Sequence, residues 1–330
     1  MTPPLASVGI IGTGSYTPPR VLTNFDLEKM VETSDEWIRT RTGIEERHIA
    51  DPGVATSDLA LPAAQAALAS AGLQPSDIGL IVVATVTPDT VFPCTASLLQ
   101  QSLKAPGAAA FDLVVGCTGF VFALAAAGAM VATGAYRHAL VVGAETLSKI
   151  TDWEDRSTCV LFGDAAGAVV LGRVPEGRGI LSYCLGNDGE GAEALTIPAG
   201  GSRLPASAET VANRQHYLKM AGSEVFKFAV RAMVDSSEEA VRAAGLTMAD
   251  IDFVIPHQAN LRIVDAAAKR FNLPFERFAR NGGRYGNTSS ATIPLALDEA
   301  VREGRIAVGD NLLLTSFGAG LSWGSMVLRW

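Results

Sequence analysis

Apolar and polar positions divide this chain into short β-favouring runs and longer helical segments. Residues 111–115 (Phe-Asp-Leu-Val-Val) are followed by Gly116, Cys117 and an Ala-rich stretch with no charge until Arg137. That pattern predicts a strand ending at Gly116, a sharp turn, and a helix starting at Cys117. Apolar runs predict further strands at 7–14, 78–85, 138–143 and 180–185, and one more within 159–171. Helices are predicted at 57–71, 96–103 and 220–244, and a short one opens at Asn24, an N-cap residue type. Residues 186–217, rich in Gly, Ala, Ser and polar groups, read as a long irregular excursion and a domain junction. The uncharged run 113–134 is long enough to cross a bilayer. Its Gly and Ala make a poor lipid-facing surface and no second such segment follows, so the buried centre of a large domain is the better expectation.

Candidate chemistry starts at Cys117. A thiol at a helix start lies beside unpaired N–H groups and a positive dipole end, which lowers its pKa and favours the thiolate. A free cysteine can equally be a small core hydrophobe, and this stretch alone leaves both readings open. Gly12-Thr-Gly14 reads as a glycine turn into which the first strand runs and resembles the start of a dinucleotide fingerprint, but Pro18-Pro19 block the helix that fingerprint needs. Trp37 and Arg41, four apart, share a helix face. They could stack on an adenine ring or form an ordinary surface pair.

The two halves repeat each other. Ala71-Gly-Leu with Asp77-Ile matches Ala244-Gly-Leu with Asp250-Ile at an offset of 173; Leu140-Val-Val matches Leu312-Leu-Leu at 172. Gly167-Ala-Val-Val-Leu matches Gly324-Ser-Met-Val-Leu at 157, and Cys117 aligns with Asn287 at 170. Two layered α/β halves, residues 1–175 and 176–330, would then meet near a pseudo-twofold axis. Position 84, at a strand end, corresponds to His257, so Cys117, His257 and Asn287 would face one another. That coincidence favours catalysis at Cys117.

Composition narrows the alternatives. With 330 residues, 48% hydrophobic and only 18% charged, the chain can bury a large core. The net charge of −8 argues against nucleic acid as the main partner. Four scattered cysteines without a CxxC pair suggest neither a zinc site nor a disulfide framework. The first residues lack the basic and apolar regions of a signal peptide, so a cytoplasmic, reduced location is expected.

The motifs Thr33-Ser-Asp-Glu-Trp-Ile, Arg41-Thr-Gly-Ile, Cys117-Thr-Gly-Phe, Phe162-Gly-Asp, Pro256-His-Gln-Ala-Asn-Leu-Arg262 and Gly286-Asn-Thr-Ser carry a resemblance that runs nearly end to end. The chain resembles the β-ketoacyl-acyl-carrier-protein synthase III family, initiating condensing enzymes of type II fatty-acid synthesis with the thiolase fold (αβαβα). The resemblance implies that Cys117 takes an acyl group from acyl-CoA, with backbone N–H groups of Cys117 and Ala319 as the oxyanion hole. His257 and Asn287 would then hold the enolate left when malonyl-carrier protein loses CO₂. It implies CoA contacts at Thr33, Trp37, Arg41, Arg156 and Asn260, with Trp37 and Arg156 sandwiching the adenine. Phe226 would lie at the substrate tunnel. Phe92 would close the acyl pocket of a homodimer partner, which suggests a short starter such as acetyl. Arg262, Lys269 and Arg270 would meet the acidic carrier protein. No metal, no redox cofactor and no membrane are implied. Many relatives have glycine in place of Ala319 and two alanines in place of Val115-Gly116.

Two other classes compete with a condensing enzyme. A papain-type Cys/His/Asn hydrolase lacks its local cysteine signature here. A non-catalytic acyl-binding protein would be expected to have lost the nucleophile. Within the condensing class, a longer or branched starter in a specialised pathway is the runner-up. The hydroxymethylglutaryl-CoA synthase branch is disfavoured by Asn287.

Overall fold

In the computed structural model, which describes residues 6–330, two sheets are sandwiched among three layers of helices. The first sheet contains β1 (Val8–Tyr16), β2 (Leu80–Ala84), β3 (Ala109–Leu113), β4 (Ala139–Thr146) and β5 (Asp164–Arg173), in the order β1-β5-β4-β2-β3. The second contains β6 (Gly179–Asn187), β7 (Phe253–Pro256), β8 (Asn311–Gly318) and β9 (Ser322–Arg329), in the order β7-β8-β9-β6. Strand β2 runs parallel to β3 and β4, and β7 parallel to β8; the remaining neighbours are antiparallel.

Both faces of each sheet are covered, which is why the central strands read as continuous apolar runs instead of alternating ones. Helices α1 (Thr56–Ala71) and α2 (Thr95–Leu103) pack on the outer face of the first sheet, against Ile81 and Val83. Helices α3 (Gly119–Ala132) and α6 (Thr292–Arg302) lie between the sheets, where Val82 and Ile255 point inward. Helices α4 (Gly222–Ala243) and α5 (Leu261–Phe271) cover the far face of the second sheet. Walls on both sides of α3 explain its lack of charge. Among the described residues no helix is long and apolar enough to cross a membrane.

The repeat seen in the sequence is a repeat of elements. Shifting β4 by 172 residues lands on β8, and shifting β2 by 173 lands on β7. A 3₁₀ turn, Gly116–Thr118, precedes α3, and its counterpart Ser289–Ala291 precedes α6. The edge strand β3 breaks the symmetry. Its equivalent is a single parallel bridge from Val254 to Phe278.

Three local expectations are corrected. The strand before Cys117 ends at Leu113, and the α-helix begins at Gly119, because Gly116 takes φ +53° and turns the chain. Gly12 and Gly14 lie inside β1 and not in a turn. A Cβ on either would come within 2.5 Å of the α1 backbone, at Ala67 O and Ala63 O, so glycine permits the close approach of sheet and helix. The excursion after β6 is more ordered than its composition suggests. Leu195–Thr196 pairs with Lys219–Met220, and Asp152 anchors Arg214 and Lys219.

Candidate active site

Cys117 occupies the middle of the 3₁₀ turn that joins β3 to α3. The second half of the chain holds this turn from below. Ser316 Oγ donates to Cys117 O at 2.9 Å, and Thr118 Oγ1 lies 2.8 Å from Ser322 Oγ. Gly318 backs directly onto Cys117: a Cβ there would meet Cys117 N at 2.8 Å. A Cβ on Gly116 would meet Ala319 N at 3.1 Å. The two segments carrying the proposed oxyanion N–H groups therefore touch, and only glycine fits where they do.

A cavity of about 270 Å³ opens over Cys117 and is also lined by His257, Asn287 and Ala319. Its walls are apolar, with Leu147, Phe162 and Val86 from the first half and Leu195, Ile197 and Leu218 from the excursion. Cys117, His257 and Asn287 do meet, although the fold pairs Cys117 with Ser290, at an offset of 173, and not with Asn287 at 170.

His257 follows the last residue of β7, and its N–H donates to Thr315 O at 2.8 Å, which extends the ladder with β8. Its Nδ1 lies 2.7 Å from Thr292 Oγ1, its ring meets Phe317 edge-on at 5.3 Å, and its Nε2 is buried without a protein partner. Asn287 Oδ1 accepts the N–H of Ser289 at 2.8 Å. That bond orients the amide so that its NH₂ is the group left for the cavity.

The electrostatics are dominated by burial. The imidazole is pushed down to about 3, so His257 is neutral at every working pH. The Cys117 thiol is pushed up to about 12, by burial first, with Ser289 opposing and Glu145 adding. The expectation of a lowered thiol pKa is thereby reversed: apolar walls outweigh the helix start. Cys117 rests as a thiol.

The His257 shift has a consequence for stability. Between pH 6.5 and about 3 the unfolded chain binds a proton that the folded one refuses, so stability falls as pH falls through that window. At pH 5 the loss relative to pH 7.5 is about 2 kcal/mol from this group. Denaturant unfolding at both pH values should show this loss in the wild type and its absence in His257→Gln. Equal losses in both proteins would contradict it.

The remaining predicted residues separate into three groups. Asn260 lines the cavity and caps α5, with Oδ1 accepting from Arg262 N at 2.9 Å and Nδ2 donating to Arg41 O at 3.1 Å. This bond ties the cavity mouth to the Asp35–Thr42 helix that carries Trp37 and Arg41. Arg156 lies over the Trp37 ring at 4.8 Å and donates to Glu32 O at 2.8 Å, beside a Thr33 hydroxyl that is buried without a partner. A base between Trp37 and Arg156 needs about 7 Å, two stacking distances, so the pair must part to admit one. Phe226 lines the cavity with Arg262 over its ring at 5.7 Å; Arg262, Lys269 and Arg270 are exposed on α5. Phe92 stands apart, 84% exposed and outside the cavity of its own chain.

Sequence reasoning missed Glu145, Phe317 and Thr292. Glu145 is a fully buried carboxylate that accepts from Thr87 Oγ1 at 2.6 Å, Ser290 Oγ at 2.9 Å and Val86 N, and burial raises its pKa. One acid inside the apolar run 139–146 was the available signal. Thr292 carried none, since its partner lies 35 residues away.

Comparison with known proteins places this geometry in a family. Models described as 3-oxoacyl-[acyl-carrier-protein (ACP)] synthase III and its C-terminal region match residues 111–189 and 241–330. A β-ketoacyl-[acyl-carrier-protein] synthase III of Symbiobacterium thermophilum is 59% identical, covering 98% of each chain. The solved structure of β-ketoacyl-[acyl carrier protein] synthase III from Thermus thermophilus is 51% identical, with TM-score 0.91 over 98% of this chain and 99% of that one. The priming β-ketosynthase of the R1128 polyketide pathway is 37% identical, with TM-score 0.91 over 100% and 98%. With the family models and end-to-end identity in agreement, this chain belongs to the 3-oxoacyl-[acyl-carrier-protein] synthase III family of thiolase-fold condensing enzymes.

Proposed function

We propose that the protein condenses a short acyl-CoA, acetyl-CoA in the first instance, with malonyl-carrier protein to give 3-oxoacyl-carrier protein, CoA and CO₂, and so initiates fatty-acid synthesis. The observation that carries this reading is the meeting of Cys117, His257 and Asn287 around one apolar cavity.

In the first half-reaction Cys117 Sγ attacks the thioester carbonyl. The developing oxyanion faces the N–H groups of Cys117 and Ala319, whose segments abut. Collapse expels CoA, and the net proton passes from the thiol to the CoA sulfur. A nucleophile that rests as a thiol is also protected from adventitious alkylation and oxidation. In the second half-reaction the malonyl carboxylate leaves as CO₂ and its electrons move onto the thioester oxygen. Neutral His257 and the Asn287 NH₂ hold that enolate. Its carbon attacks the acyl-Cys117 carbonyl, the new C–C bond forms, and Cys117 leaves to be reprotonated. No cofactor beyond the two thioesters is required.

CoA would enter past Trp37, Arg156, Thr33 and Arg41, and Asn260 would contact its pantetheine arm. The carrier protein would dock on Arg262, Lys269 and Arg270. A homodimer is proposed on the exposed Val91-Phe92 tip and Val114, which flank the edge strand β3; Thr95 N bonds Asp112 of that strand at 2.8 Å. Phe92 would then reach the partner's cavity. A cytoplasmic location follows from these substrates. The likeness to a priming β-ketosynthase of a polyketide pathway supports a second reading, a related condensing enzyme of a specialised pathway, for which a longer or branched starter is the alternative to acetyl.

Intact mass after incubation with acetyl-CoA, followed by malonyl-carrier protein, tests the proposal. A single acetyl adduct should form and then disappear as acetoacetyl-carrier protein and CO₂ accumulate. Adducts formed only from longer or branched acyl-CoAs would move the starter and keep the mechanism. No adduct from any acyl-CoA would overturn the reading.

A further inference from the structure

We propose that Thr292 is a positioning residue for His257: its hydroxyl donates to Nδ1 and so fixes the imidazole as the tautomer whose Nε2–H faces the cavity. The purpose of that arrangement rests on the condensing reading above, but the arrangement itself can be measured without it.

Thr292 is the first residue of α6 and is 2% exposed. Its Oγ1 lies 2.7 Å from His257 Nδ1 and 2.9 Å from Ser289 O. A hydroxyl has one proton to give, so these two acceptors compete for it. The Ser289 carbonyl is already served, since it accepts the backbone N–H of Thr292. Nδ1 has no other partner among the described residues and is the closer of the two. Donation to Nδ1 therefore satisfies both acceptors. Donation to Ser289 instead would place the ring proton on Nδ1 and turn a bare Nε2 lone pair toward the cavity.

The consequence at Nε2 distinguishes the two arrangements. That atom is buried with no protein partner, beside the NH₂ that Asn287 presents. An Nε2–H there is a donor held in reserve for an incoming oxygen, and with the Asn287 amide it forms a two-donor cradle. A bare nitrogen in the same place would repel developing negative charge. Phe317, edge-on at 5.3 Å, sets the plane of the ring, while Thr292 sets its proton. Residues 287–292 thus carry one donor of the cradle and the group that decides the other.

The test uses full-length protein labelled with ¹⁵N-histidine, with His257 assigned by its loss in His257→Gln. Long-range proton–nitrogen correlation should show Nε2 protonated and Nδ1 bare. Thr292→Val keeps the shape and removes the donor. It should shift the proton to Nδ1 and slow malonyl-carrier protein decarboxylation about 100-fold, while acyl-adduct formation on Cys117 changes less than about threefold. Thr292→Ser should restore tautomer and rate. An Nδ1–H tautomer in the wild type would overturn the proposal even if no variant folds. So would undiminished decarboxylation in Thr292→Val, or equal loss of both half-reactions, which marks packing alone. If the wild type neither forms an adduct nor decarboxylates, the condensing reading fails while the spectrum still decides the role of Thr292.

Discussion

Replacing Cys117 by alanine should abolish the acyl adduct and lower overall condensation by at least about 10⁴-fold, the scale on which loss of a covalent nucleophile is felt. Decarboxylation of malonyl-carrier protein should persist in that variant, because Asn287 and His257 are untouched and their supports come from Ser289, Thr292 and Phe317. The prediction is specific because the other thiols are poor substitutes. Cys159 is buried away from the site, and neither it, Cys184 nor Cys94 lines the cavity that Cys117 faces. Intact mass and peptide mapping after exposure to acyl-CoA provide the check. An adduct that survives in Cys117→Ala, on whichever residue, would refute the assignment of the nucleophile.

The second large effect belongs to Asn287, and here two replacements separate chemistry from architecture. Aspartate keeps an oxygen for the Ser289 N–H, which matters because Ser289 sits at φ +49°, a strained conformation for a residue with a side chain. It also replaces the amide NH₂ by a second oxygen that cannot donate. Decarboxylation in Asn287→Asp should fall by about 10²–10³, the usual result of losing one preorganised donor, while the Cys117 adduct still forms. Alanine should lose the same chemistry and additionally about 1 kcal/mol of stability through the freed Ser289 N–H. The measurements are CO₂ release, adduct mass and unfolding midpoint for both variants. Wild-type decarboxylation in Asn287→Asp would remove the amide from the mechanism.

These expectations share a structural logic. Cys117 stands on one repeat and His257 and Asn287 stand on the other, so the cavity they line exists only where the halves join. Ser316, Ser322 and Gly318 of the second half hold the Cys117 turn, and Ser290 reaches back to Ala84 O at 2.7 Å and to Glu145. Chemistry is placed on turns that follow buried strands because strand ends are rigid and their next residues face a shared crevice.

Much of this was legible beforehand. The apolar runs marked the buried strands, and the offsets of 172 and 173 placed β8 and β7 on β4 and β2. Cys117 and His257 could be placed because each occupies a repeat-related turn or strand end, a local property that survives in one dimension; Asn287 lies three residues before Ser290, the counterpart of Cys117 in the fold. The chemical identity of those side chains, and therefore the class of reaction, is likewise written residue by residue.

What escaped was everything that depends on a neighbour far along the chain. The helix start argued for an acidic thiol at Cys117, yet its pKa follows the apolar walls brought over it, some from the excursion whose composition reads as irregular. Gly12-Thr-Gly14 resembled a turn, yet the glycines are demanded by α1, which packs within 2.5 Å of where their Cβ atoms would lie. The proton of His257 is governed by Thr292, a partner no motif announces. Periodicity and residue type act over a few neighbours and are carried by the chain itself. Desolvation, close backbone contact and hydrogen-bond competition act over a few ångströms, and only folding decides which residues come that near.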